Sequence, residues 1–295
     1  MRKDAFASFH PTVNLSYFAA VITFAMFLTH PVFLILSICC GAAYAAYLKK
    51  ITRISLLYMI PMLIITVVLN PLFNHRGATI LAYLPNGNPL TLESILFGIA
   101  AGIMLITVIT WFSCFNAVMT SDKFTYLFGR AIPALSLILS TSLRLVPRFA
   151  AQIKVIANAQ RCIGRDISKG SLLKRVKCGV KILSIMVTWM LENSIETADS
   201  MKNRGYGLPG RTAFSIFRFT RQDGYALVYI FFCASFIIFG TLSGASYFRY
   251  FPTVRGEWLD PRTIAVFAAY LALGVFPLML NLREDIIWKR IESKI

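Results

Sequence analysis

Ser200-Met201-Lys202-Asn203-Arg204-Gly205-Tyr206-Gly207 closes a basic segment, residues 120–222, that lies between two blocks of uncharged, strongly apolar sequence. Lipid offers no water to such charges, so the segment belongs at an aqueous face and its flanks belong in the bilayer. Composition agrees: 57% of the 295 residues are hydrophobic and 15% charged, with a mean hydropathy of +0.66, a balance typical of bilayer proteins. At about 20 residues per crossing helix, the apolar runs give six candidate spans: 14–30, 31–48, 54–73, 93–119, 224–246 and 262–282. Their cores hold no Asp, Glu, Lys or Arg. The expected fold class is all-α, a polytopic integral membrane protein with about six transmembrane helices and two long helices at the aqueous face. The chain then divides into three regions: 1–119 with four spans, 120–222 outside the lipid, and 223–295 with two spans and a short basic tail.

The net charge of +17 raises the question of nucleic acid, and the placement of the 30 basic residues answers it. In a six-span topology, five before residue 54, seventeen in 120–222 and four after 282 share one face, while Arg76, Arg249, Arg255 and Arg262 lie on the other. The positive-inside rule puts both termini and the basic segment in the cytoplasm. Basicity therefore reports orientation, with anionic membrane lipid as a secondary partner and no nucleic acid. Thr29-His30-Pro31 reads as a tight external turn between the first two spans; one long bent span is the alternative. Six cysteines without a CxxC pair and three scattered histidines form no ligand set, so neither a metal nor a cofactor is expected.

Within the basic segment, Ser121-Asp122-Lys123 offers a helix start, and Pro147, beside Arg144 and Arg148, should bend or break the helix near the membrane surface. From Arg148 the pattern becomes two-faced. Phe149, Ile153, Ile156 and Ile163 fall on one stripe, and Lys154, Asn158, Arg161 and Arg165 on another. Gly164 and Gly170, with Asp166 and Ser168 between them, supply a stop and a connector. A second helix, from about Ser171 to Arg204, is roughly 50 Å long at ~1.5 Å per residue. Its polar stripe begins with Lys174, Lys177 and Lys181 and ends with Glu192, Glu196 and Asp199; Leu183, Met186, Trp189 and Met190 form its apolar side. Basic first and acidic last opposes the helix dipole. Two readings account for it: the acids meet the basic stripe of the preceding helix at a crossing, or they are solvated charges with i,i+4 partners.

Gly205-Tyr206-Gly207-Leu208-Pro209-Gly210 satisfies GxGxxG, but a long helix precedes it and Pro209 prevents a helix from starting directly after it, so a glycine-rich helix exit is the better account. No Walker A sequence occurs, and the chain is not expected to hydrolyse ATP. The spans carry no paired ionisable groups, which disfavours an ion-coupled transporter and a membrane-embedded enzyme alike.

Four stretches together resemble one family. Thr120-Ser121-Asp122-Lys123-Phe124, Ser142-Leu143-Arg144-Leu145-Val146-Pro147, Ala159-Gln160-Arg161-Cys162-Ile163-Gly164-Arg165-Asp166 and Ala198 through Gly207 look like the transmembrane T component of energy-coupling factor (ECF) transporters, which import vitamins and metals across the bacterial cell membrane. The likeness is close over about 120–212 and loose elsewhere. It implies two cytoplasmic coupling helices, each ending in Ala-Arg-Gly, whose arginines dock into two ABC ATPase subunits, with a substrate-binding S component as a further partner. The second motif matches as Asn203-Arg204-Gly205. The first aligns with Cys162-Ile163-Gly164, so its arginine is missing; Arg161 or Arg165 could supply the charge, and two different ATPase subunits would suit the asymmetry. Pro147 with Arg144 is the expected hinge. A conventional ABC importer permease, forming the substrate path itself, is the alternative; two long coupling helices argue against it.

Overall fold

In a computed structural model of the chain, residues 4–49, 53–83, 87–131, 133–166, 171–208, 217–256 and 260–292 are described. Ser168, Gly170, Pro209 and Gly210, read above as connector and exit, lie outside them. The chain forms two compact units, residues 1–123 with 217–295, and residues 124–216.

The first unit is the apolar bundle. It contains α1 (Pro11–Phe27), α2 (Pro31–Tyr47), α3 (Arg53–Phe73), α4 (Leu92–Val118), α8 (Arg221–Leu242) and α9 (Pro261–Glu292). Three of these, α4, α8 and α9, are long and apolar enough to cross a membrane; α1, α2 and Met59–Phe73 of α3 are shorter apolar helices. The six correspond to the six apolar runs. The turn at Thr29-His30-Pro31 is also present: α1 ends at Phe27, and Pro31 opens α2 at a position where a missing N–H costs nothing. His30 and His10 both serve as helix caps, their Nδ1 atoms accepting from the Val32 and Thr12 amides at 3.2 and 3.3 Å. Two short antiparallel pairs interrupt the all-helical pattern, β1 (Ile80–Tyr83) with β2 (Pro89–Thr91) and β3 (Phe248–Arg249) with β4 (Arg255–Gly256). The Ala78 amide donates to the Pro252 carbonyl at 3.0 Å and joins the two connections.

Small residues let the apolar helices approach. A Cβ on Gly240 of α8 would overlap a Val266 methyl of α9, and one on Gly98 of α4 would lie 3.3 Å from the Val67 backbone of α3. Gly98 and Gly102 form a GxxxG pair against α3, the small-residue packing that replaces hydrophobic driving force in lipid.

The polar interactions of this unit concentrate at the segment before α1. Asp4 accepts from Tyr44 Oη of α2 at 2.8 Å and from Asn281 Nδ2 of α9 at 2.6 Å, and the Ala5 amide donates to Asn281 Oδ1 at 2.7 Å. The His10 amide donates to Asp223 Oδ1 of α8 at 2.8 Å, and Asp223 closes a capping box with Thr220. Lys123, in the first turn of α5 (Ser121–Ala131), is 6% exposed. Its Nζ donates to the Ala7 carbonyl at 2.6 Å and to the Val118 carbonyl at 3.0 Å. The orientation of the Asn14 amide that satisfies both its groups puts its oxygen 2.8 Å from Lys123 Nζ and its nitrogen 3.0 Å from the Phe6 carbonyl. Burial pulls the Lys123 pKa below its ordinary value, opposed by the negative charge of Asp4.

Lys123→Met would leave three buried acceptors without their donor. We expect a stability loss of about 2–4 kcal/mol, read as a lower melting temperature of the detergent-solubilised protein; an unchanged melting temperature would contradict the anchoring role.

Candidate functional site

The second unit is built on a helix pair, α6 (Pro133–Cys162) and α7 (Leu172–Asn203). One expectation is corrected at once. Pro147 does not break the helix: α6 runs continuously through it for 30 residues. Proline removes one backbone hydrogen bond and crowds the preceding turn, a cost of about 3 kcal/mol. Packing immediately beyond it offsets that cost. Phe149 meets Trp189 of α7 edge-on with ring centroids 6.0 Å apart, and the Arg148 guanidinium lies 5.6 Å from the same indole. Arg144 and Pro147 are both exposed.

The two helices are antiparallel. Phe149 is level with Trp189, while Cys178 Sγ, near the start of α7, donates to the Arg165 carbonyl at 3.3 Å. Their interface is Ile156 with Cys178, Ile182 and Met186, flanked by Phe149, Ile185, Trp189 and Met190. The apolar stripes read from sequence are therefore only partly used. Ile153, Ile163 and Leu183 are exposed, and Leu183 belongs to a row with Val176, Val180, Val187, Leu191 and Ile195 that runs along α7 with no partner among the described residues. Its 3- and 4-residue spacing marks one continuous face.

The antiparallel register also separates residues that the crossing hypothesis paired. Arg161 shares a cavity with Lys174, Lys177 and Lys181 at the start of α7. Glu192, Glu196 and Asp199 lie toward the other end, exposed. Glu196 is 19 positions beyond Lys177, about 28 Å along the axis. Arg161 instead pairs with Asp166, Nε to Oδ2 at 3.0 Å. The structure thus favours solvated acids over a crossing, because only a parallel or steeply crossed pair could bring Glu196 to Arg161.

Both helices end in the same backbone device. At the end of α6 the Arg165 amide donates to the Gln160 carbonyl and the Gly164 amide to the Arg161 carbonyl, at 2.9 and 3.0 Å. At the end of α7 the Tyr206 amide donates to Met201 and the Gly205 amide to Lys202, at 3.0 and 2.9 Å. These are paired 6→1 and 5→2 bonds, the Schellman arrangement, which needs a left-handed residue after the cap. Gly164 and Gly205 supply it with φ of +81° and +74°. Superposing the two turns by their hydrogen bonds sets Cys162 with Asn203, Ile163 with Arg204, and Gly164 with Gly205. The residue in the arginine position of the first end is thus Ile163, 68% exposed. Arg161 and Arg165 flank it, both exposed, two positions before and after. Asn203 and Arg204 are exposed at the second end.

Sequence comparison identifies the family to which these ends belong. The profile of the family described as cobalt transport protein, CbiQ, matches residues 7–216. The chain belongs to this family. Among its relatives, the energy-coupling factor transporter transmembrane protein EcfT of Lactobacillus helveticus is 34% identical over 104 residues, covering 35% of this chain and 38% of that protein. EcfT of Lactococcus lactis subsp. cremoris is 34% identical over 97 residues, 32% and 36% of the two chains. EcfT of Bacillus subtilis is 31% identical over 106 residues, 36% and 40%. The matched part is thus well under half of each relative's length. The ECF-type resemblance read from the four motifs is upheld, as is the polytopic all-α membrane fold.

Sequence reading misses the contacts that tie α6 to α7. Arg148 with Trp189 and Cys178 with Arg165 join positions whose pairing depends on the antiparallel register, for which no local signal exists. Lys123 is visible in the sequence only as part of a motif, without a role.

Gly205→Val would force a β-branched residue into left-handed backbone, at a cost of about 1–2 kcal/mol. Amide exchange at Tyr206, whose bond closes the turn, should accelerate roughly tenfold. Unchanged protection would mean the turn does not depend on Gly205.

Proposed function

We propose that this chain is the membrane-embedded coupling subunit of an ECF-type ABC importer. It joins two ABC ATPases to a separate substrate-binding membrane subunit and carries no ATPase activity of its own. The observation that carries this reading is the pair of like-built helix ends at opposite ends of an antiparallel pair. The first end is held beside Cys178, and Arg204 lies 26 positions further along α7, a separation of about 39 Å. Two exposed, turn-defined tips so far apart suit two separate partner subunits better than one.

Arg204 presents a planar fork of donors that stays charged at any working pH, able to take a partner carboxylate or carbonyl pair, and Gly205 lets the chain leave sharply. Asn203 extends the same tip. Ile163 presents an apolar contact with Arg161 and Arg165 beside it. Unlike tips fit two different ATPase subunits. With both termini and the helix pair in the cytoplasm, as the positive-inside bias argues, closure of the ATPases would draw on both tips. The exposed apolar row of α7 is the surface offered to the substrate subunit. Pro147 is the proposed hinge, because the residues directly after it are fastened to Trp189. The cargo, a vitamin or a metal, is the substrate subunit's choice.

Arg204→Ala should lower retention of the ATPases on the purified complex, or uncouple ATP hydrolysis from uptake, by tenfold or more, in keeping with about 1.5–3 kcal/mol for a charge-assisted hydrogen bond. Wild-type assembly and coupling would sink the docking reading. Leu183→Glu with Leu191→Glu should release the substrate subunit while the ATPases stay bound; loss of neither would rule out the α7 row as that contact.

A further inference from the structure

The end of the helix pair that lacks a tip arginine has a different charged feature. A cavity of about 650 Å³ opens beside Gly164, lined by Arg161, Arg165, Lys174, Lys177 and Lys181. Asp166 is the one carboxylate among its described lining residues. Lys174, Lys177 and Lys181 find no carboxylate partner among the described residues, and each is exposed. At 3- and 4-residue spacing they form one row about 10 Å long on α7. The other end is the reverse, with Glu192, Glu196 and Asp199 in the last turns before Lys202 and Arg204.

We propose that this cleft is an interaction surface for an extended, carboxylate-rich segment of the ATPase subunit that docks at the Ile163 end. The proposal rests on the docking reading above and names the chemistry of the partner at that site. Three properties select the occupant. Cations held together on two helix faces repel one another and need counter-charge, which the protein itself supplies only through Asp166. A row of lysine point charges about 10 Å long is longer than a single tetrahedral anion and matches several acidic side chains in sequence. The charges face a concavity, whereas a bilayer surface is met by a flat or convex basic face. The cleft begins at Gly164 and Arg165, so a subunit seated on Ile163 adjoins it directly. Its charge takes the place of the missing tip arginine: many weak attractions around an apolar contact, against one fork at Arg204.

The test uses the full complex with both ATPases, in wild-type, Lys177→Glu/Lys181→Glu and Lys177→Gln/Lys181→Gln forms. Retention of the ATPases is measured from about 0.1 to 0.5 M salt, a range over which screening suppresses exposed charge pairs. A photo-cross-linker at position 174 reports the neighbouring peptide. Wild-type association should weaken about tenfold across that range. The Gln form should be weaker at low salt and nearly salt-independent, and the Glu form weaker still. The cross-linked peptide should be acidic. Equal salt dependence in all three forms, or a cross-link to a peptide without carboxylates, overturns the proposal even if the Glu form misfolds. Flotation on phosphatidylglycerol vesicles that requires these lysines, with ATPase retention unaffected, assigns the cleft to lipid and overturns it also. Arg204→Ala separates the two levels. If that change leaves the ATPases bound, the docking reading itself fails; if it weakens them while the lysine changes do not, only the cleft assignment fails.

Discussion

A buried ammonium must be surrounded by acceptors, and Lys123 is surrounded by three: the carbonyls of Ala7 and Val118 and the amide oxygen of Asn14. Two of them exist only because the segment before α1 folds under the bundle and α1 begins where it does. That segment, Asp4 to His10, is then bonded to α2 through Tyr44, to α9 through Asn281 and to α8 through Asp223. Lys123 adds the end of α4 and the start of α5. Five apolar helices are fixed by polar contacts near one level of the bundle, while elsewhere they pack through glycines and apolar side chains. The arrangement follows from the solvent. In lipid, apolar surface gives little association between helices, so specificity falls to small residues and to polar groups that cannot be left unpaired.

The same division decides which parts of the fold are legible in the sequence. Spans and helix ends are local: about 20 apolar residues, a proline at the start of α2, a glycine after Ile163 and another after Arg204. Each carries its physical cause within a few positions. The polar contacts beneath the bundle are not local. Asp4 and Asn281 are joined across 277 positions, and neither has a neighbour that marks it. His10 and His30 look in the sequence like scattered histidines without a ligand set, when their role is to cap helices, since an imidazole nitrogen accepts an amide as readily as a hydroxyl does. The two small strand pairs are too short to show a period of two against the apolar background.

The helix pair is legible in outline but not in register. Sequence gives two amphipathic helices and their tips, but not which residue of one lies beside which of the other. Charge alone sets the acids of α7 against Arg161. Antiparallel packing around Ile156, Ile182 and Met186 puts them at the far end instead, because burying those side chains outweighs any attraction between exposed charges. The apolar stripe is misjudged for a related reason. A helix that packs against one partner and offers a second face to another is apolar on more than one side, and a two-faced reading merges them.

The charge order of α7 follows from the same point. Lysines at its start and acids in its last turns oppose the helix dipole, so the order weakens the helix by itself. No ion pair among the described residues relieves the lysines, and the acids are exposed. A helix selected for stability alone would carry the opposite order. The arrangement makes sense if each end is shaped for something outside the chain. On the docking reading, the basic end surrounds an apolar tip and the acidic end surrounds an arginine, so each tip is set in a field of opposite character to its counterpart. Two such ends discriminate between unlike partners by repulsion as well as attraction, since an acidic surface drawn to the first is turned away from the acids near the second. The missing arginine at Ile163 is then part of the specificity of the pair, and the asymmetry of the tips and the asymmetry of the helix charges have one cause.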